Sequence, residues 1–112
     1  MIEPILKELE EVVNAEFHRI IEEHGYLHSR HEGIGVGLEE EEELFNEIYW
    51  VKEYSKDLKR SVFEDEPSGV LMYDLTRIER HAKYAAAEAV QVAAVAMKFR
   101  LLLDHETLKS RR

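Results

Sequence analysis

The residues of this chain best equipped for chemistry are carboxylates, and five of them stand in a row, Glu39 to Glu43. Successive residues of a helix turn through about 100°, so the five fan around the axis and cannot share one role. Glu40 and Glu43 are three apart and are neighbours on one face; continuing that row by helical steps gives Val36, Glu47, Trp50 and Tyr54. Two carboxylates side by side repel unless a cation sits between them, and a hard divalent ion with a preference for oxygen ligands, Mg2+ or Mn2+, is the natural remedy. Two ligands do not make a site. Glu88 is the third candidate, because it stands in an alanine-rich stretch where a charge is costly without a partner, and Gln91 shares its face. Packing the middle of the second helix against residues 85–96 would bring Glu40, Glu43, Glu88 and the Gln91 carbonyl around one point. The residues alone also admit a plainer use: a glutamate run is commonly a solvated face, and Glu88 could pair with Lys83, Lys98 or another helix.

Other side chains point less clearly to a site. His28 and His31 are three apart and could bind a transition metal, but helix capping explains the same region without one. His18, His24, His81 and His105 show no ligand spacing with a carboxylate, and neither Glu-x-x-His nor His-Glu-x-x-His occurs, which counts against a di-iron bundle and a zinc protease. There is no cysteine, so disulfides, thiolate ligands and cysteine nucleophiles are absent together. Trp50 and Tyr54 could stack on a base or simply pack in a core. Lys52, Lys56 and Lys83 are available to phosphate, none of them singled out by spacing.

The elements that must position these groups are all helical. From Pro4, apolar residues recur at Ile5, Leu6, Leu9, Val12, Val13, Phe17, Ile20 and Ile21, predicting a first helix that ends near Gly25. Residues 25–29 read as a loop, and Ser29 with Glu32 has the form of a capping box opening a second helix. Gly33, Gly35 and Gly37 weaken its first turns and need a reason such as close backbone approach. Leu38, Phe45, Ile48, Tyr49 and Val51 give it a core face, and it runs to about Arg60 before residues 64–69 break it. From Leu71 to Leu103 an unbroken heptad stripe (Leu71, Leu75, Ile78, Ala82, Ala85, Ala89, Val92, Ala96, Phe99, Leu103) predicts one long helix, with a kink near residues 79–84 as the alternative. Lys109, Arg111 and Arg112 make a short basic end that frays. No strand signal or repeat is present. The expectation is one all-α domain over residues 1–112, an antiparallel bundle of three to four helices completed by oligomerisation into a homodimer or homotetramer.

Composition sets the outer bounds. The 112 residues suit one domain, and 45% apolar with 35% charged residues excludes a disordered or fibrous chain. A formal net charge of −9 repels a nucleic-acid polymer, and no basic stripe offsets it. The same acidity suits a small phosphorylated ligand only if a divalent cation mediates the contact. The start, Met1-Ile2-Glu3-Pro4, lacks a basic leader, and the most apolar stretch, residues 85–103, is interrupted by Glu88, Gln91, Lys98 and Arg100, so neither targeting signal nor membrane span is expected and the cytoplasm is the expected location.

The stretch His31-Glu32-Gly33-Ile34-Gly35-Val36-Gly37-Leu38-Glu39-Glu40-Glu41-Glu42-Glu43-Leu44, together with Glu88-Ala89-Val90-Gln91-Val92-Ala93-Ala94-Val95-Ala96, resembles small MazG-like proteins of the all-α nucleoside triphosphate pyrophosphatase superfamily, over about residues 17–103. The family's metal motif is Glu-x-x-Glu on one helix and Glu-x-x-Asp on a later one. The resemblance therefore implies Glu40 and Glu43 for the first pair and Glu88 for the second, with Gln91 where catalytic members carry aspartate. It implies Mg2+-dependent cleavage of a nucleoside triphosphate between the α and β phosphates, releasing a monophosphate and pyrophosphate, with Glu39 or Glu43 accepting the proton of the attacking water. The departure at Gln91 removes one charge. It leaves two alternatives standing: a catalytically weakened module that still binds metal or nucleotide, and a purely structural oligomeric bundle.

Overall fold

The structure, a computed structural model, describes residues 1–110, and these contain three α-helices and no strand: α1 (Glu3–His24), α2 (Arg30–Phe63) and α3 (Ser68–Ser110). Helix α1 carries Pro4 in its first turn, and it ends where Gly25, at a φ of 72° that disfavours other residues, returns its N–H to the Ile21 carbonyl. Ser29 caps α2, its Oγ accepting from the Glu32 N–H at 3.1 Å. The link to α3 is shorter than the sequence suggests: α2 persists to Phe63, Asp65 takes a positive φ of 51°, and α3 opens at Ser68 directly after Pro67. From there α3 is continuous for 43 residues, with no break at residues 79–84. Lys109 belongs to α3; Arg111 and Arg112 of the expected basic end lie outside the described residues.

The chain separates into two compact units. The first contains α1, the start of α2 up to Glu41, and α3 from Ala89 onward. Its core is Ile20, Leu27, Ala94 and Val95, with Lys98 buried among them. Here Gly33 has the close approach that the glycines call for: a Cβ at this position would stand 2.5 Å from the Phe99 ring, whereas Gly35 and Gly37 face open space. Arg30 and Glu106 form an ion pair at 2.9 Å in the same unit.

The second unit, residues 42–88, is an antiparallel helical hairpin, as its pairings run in opposite chain directions. Ser61 Oγ donates to Asp74 at 2.8 Å, Arg77 reaches Asp57 at 3.2 Å and Asp74 at 2.8 Å, and His81 meets Glu47 at 2.6 Å. Arg77 also stacks over the Tyr54 and Tyr73 rings. Its buried residues, Ser61 and Asp74, are polar.

Both long helices turn a face inward that differs from the one their apolar residues predict. Along α2 the covered row is Val36, Glu40, Leu44, Glu47, Val51, Tyr54, Leu58 and Ser61, while Leu38, Phe45 and Tyr49 of the expected core face are 59%, 61% and 52% exposed. Along α3 the covered row is Leu71, Asp74, Ile78, His81, Ala85, Glu88, Val92, Val95, Phe99 and Leu102. Five residues of the heptad stripe are in it, four others, Leu75, Ala82, Ala89 and Ala96, are exposed, and Leu103 is half-buried. The reason is visible in the pairings: Asp74, His81 and Glu47 need partners once covered, and the hairpin register supplies Ser61 to the first, beside Arg77 of its own helix, and joins the other two.

Candidate metal centre

Glu40 stands on the covered face of α2 and Glu43 on its exposed side, and one carboxylate oxygen from each of Glu40, Glu43 and Glu88 lies within 4.8 Å of the others. Glu43 and Glu88 are both in the hairpin unit, and Glu40 precedes Glu43 by one turn of the unbroken α2. Glu40 and Glu88 are half-buried and Glu43 is exposed. Three points no more than 4.8 Å apart have a common centre within about 2.8 Å of each (4.8 Å divided by √3), and Mg2+ takes oxygen at roughly 2.0–2.1 Å. Small rotamer adjustments of glutamate side chains cover that difference, so the donor set, all hard oxygens and open to water at Glu43, fits a divalent cation that retains part of its hydration. Among the described residues this is the one group of three or more His, Cys, Asp or Glu side chains arranged in this way.

The remaining residues of the expected site fall in different places. Glu39 is exposed, as are Glu41 and Glu42. Gln91 is half-buried in the first unit, with its side chain toward Glu16 of α1. Arg19, and then Gln91, hold the Glu16 carboxyl below its ordinary value of 4.5. His28 and His31 are exposed and bring no carboxylate with them. Of the lysines, Lys56 pairs with Glu53 at 3.1 Å and Lys83 with Glu79 at 2.9 Å, both on the surface.

Two features escape inspection of the sequence. His81 Nδ1 sits 2.6 Å from Glu47 Oε2, and since an ionised carboxylate only accepts, Nδ1 is the donor. The two are 34 residues apart and meet through the hairpin register; the available signal is that Asp74, His81 and Glu88 recur every seven residues on α3. An aromatic series runs beside them, Trp50 stacked on Tyr54 at 5.5 Å, Tyr54 against His81 at 5.2 Å, and His81 edge-on to Tyr84 at 5.6 Å. The second feature is Lys98, only 7% exposed, whose presence in the middle of the apolar stretch is its sole trace in the sequence.

Comparison of the chain with protein-family models, with curated proteins and with solved structures finds no match in any of the three. No helix is long and apolar enough to cross a membrane among the described residues.

Proposed function

We propose that this chain is a Mg2+-dependent nucleoside triphosphate pyrophosphohydrolase of MazG-like type, acting as a homodimer or homotetramer of all-α bundles in the cytoplasm. The observation that carries the reading is the approach of Glu40, Glu43 and Glu88 to within 4.8 Å. It coincides with the positions at which the resemblance requires metal ligands, though that resemblance stands without a matching family model. Bound Mg2+, or Mn2+ in its place, supplies positive charge to phosphate oxygens and acidity to water. Glu40, Glu43 and Glu88 hold the ion, with the Gln91 carbonyl as a weaker fourth ligand, and Glu43 or Glu39 accepts the proton of the water that attacks the α phosphorus. The bond from the α phosphorus to the bridging oxygen breaks, and pyrophosphate leaves.

Oligomerisation is supported by the apolar side chains left uncovered within the hairpin unit, Phe45, Tyr49 and Leu75 among them.

The test joins binding to turnover. Titration calorimetry is expected to show Mg2+ binding that Glu40→Gln and Glu88→Gln each weaken at least tenfold, and a screen of canonical, deoxy and modified nucleoside triphosphates should release pyrophosphate from at least one. Metal binding without turnover anywhere in the screen would leave the weakened binding module. Absence of metal binding, or binding untouched by both substitutions, would leave the structural bundle.

A further inference from the structure

We propose that the cavity of the first unit is an anion site, and that Lys98 is its phosphate-binding residue. The cavity has a volume of about 460 Å3, within the roughly 300–1,000 Å3 of small-molecule sites, and its wall includes Arg19, His24, Glu40, Gln91 and Lys98. Lys98 is 93% covered, yet no hydrogen bond or ion pair joins its ammonium to a described residue. The fold covers the stem and not the charge: among the described residues Arg77 Nε is the buried side-chain nitrogen left without a partner, so the Lys98 ammonium keeps access to the water of the cavity and can donate to an anion there without first giving up a protein partner. The contrast with Lys56 and Lys83 is direct, since each of those exposed lysines is paired within its own helix.

The other cation of the wall is already committed. Arg19 bonds Glu16 and, at 2.5 Å, Glu23, which raises its pKa further and leaves it little capacity for a ligand. Lys98 therefore carries the positive charge that an incoming anion would meet, and Gln91 contributes a polar amide beside it. Glu32 and Glu40 in the same wall repel a bare anion, which selects for one that arrives with a divalent cation. A metal-complexed polyphosphate has that chemistry. It could come as free pyrophosphate or as the phosphate chain of a nucleotide, the latter resting on the function proposed above because Glu40 is shared with the carboxylate cluster.

The experiment uses the full-length protein and calorimetric titration with pyrophosphate, with an α,β-methylene nucleoside triphosphate, and with Mg2+ alone. In Mg2+ buffer, Lys98→Met is expected to weaken pyrophosphate at least tenfold, Lys98→Arg to stay within about threefold of the parent, and affinity for Mg2+ alone to be unchanged in both. The melting temperature of Lys98→Met should stay close to that of the parent, because no hydrogen bond or ion pair of the fold is removed. If that variant does not fold, the 13Cε signal of Lys98 in the parent is followed during the pyrophosphate titration and is expected to shift saturably. Tighter binding of the analogue than of pyrophosphate identifies a nucleotide site, and equal binding a site for the phosphate chain alone. Unchanged pyrophosphate affinity in Lys98→Met, an unmoved Lys98 signal, or no binding of either compound by the parent overturns the proposal. The two proposals can fail separately. Loss of pyrophosphate in Lys98→Met together with no Mg2+ binding would retain the anion site and discard the metal centre, and the reverse pattern would do the opposite.

Discussion

Gln91 shows how one residue can be tied to two duties. Glu16 of α1 receives Arg19, and Gln91 beside it adds to the pull that keeps the carboxyl below its ordinary value, so the residue at this position serves α1 as well as any ion. An aspartate there would place a second negative charge beside Glu16. Gln91→Asp should therefore lower the melting temperature in EDTA and recover part of the loss in Mg2+, by up to about 1.4 kcal/mol if the ion is present at ten times its dissociation constant. A thermal melt with and without Mg2+ measures this, and an unchanged EDTA melt would show that the second charge beside Glu16 has no energetic weight. Glu16 makes a second expectation possible. Its pKa is depressed in the fold, so the stability it contributes is complete above 4.5 and is lost as the pH falls through the lower, folded value. Melting temperature followed from pH 7 to pH 3 should fall less steeply below about 4.5 in Glu16→Gln than in the parent. At this scale the sequence was only half legible. Spacing picks out Glu40 with Glu43, and local apolarity picks out Glu88, but the His81–Glu47 bond joins residues 34 positions apart, and no local pattern encodes such a contact.

Among the elements, the helix boundaries were readable because their signals are local: Pro4, the Gly25 stop, the Ser29 cap and the break at Pro67 act within one turn of themselves. The inward face was not, because apolar periodicity reports which sides of a helix avoid water and not which of two such sides meets which neighbour. On α3 the stripe from Leu71 to Leu103 splits between covered and exposed residues for that reason. The glycines of α2 separate in the same manner. Each costs up to about 1 kcal/mol against alanine in a helix interior, yet only Gly33 has a neighbour that forbids a methyl group. Gly35→Ala and Gly37→Ala should raise stability toward urea by up to about 1 kcal/mol each, and Gly33→Ala should lower it by about 1–3 kcal/mol because the Phe99 ring has to retreat. If all three changes move the urea midpoint upward by similar amounts, the packing of α2 on Phe99 is looser than 2.5 Å implies.

For the whole molecule the decisive quantity is the apolar surface left over. The buried apolar residues are Ile20, Leu27, Ala94 and Val95, all small or medium in size and all in the first unit, whereas the hairpin unit buries Ser61 and Asp74. A core of that extent gives little against the conformational entropy of three long helices. Meanwhile Phe45 and Tyr49 on α2 and Leu75 on α3 stand more than half exposed, within the one hairpin unit. Single exposed apolar residues are ordinary, but rows of them at helical spacing mark a surface that another helix covers. A second copy of the chain carries the same rows and so presents the matching surface, as a two-fold interface requires. Light scattering coupled to gel filtration should therefore give two or four times 13.2 kDa at micromolar concentration, and the melting temperature should rise with protein concentration as dissociation is suppressed. Phe45→Glu and Leu75→Glu place a charge on the exposed rows without touching the covered ones, so they should shift the mass toward 13.2 kDa while far-ultraviolet circular dichroism still reports helix. A parent protein that already elutes at 13.2 kDa with a concentration-independent melt would show that the hairpin's polar pairings, Ser61 to Asp74 and Glu47 to His81, suffice to hold a solitary chain.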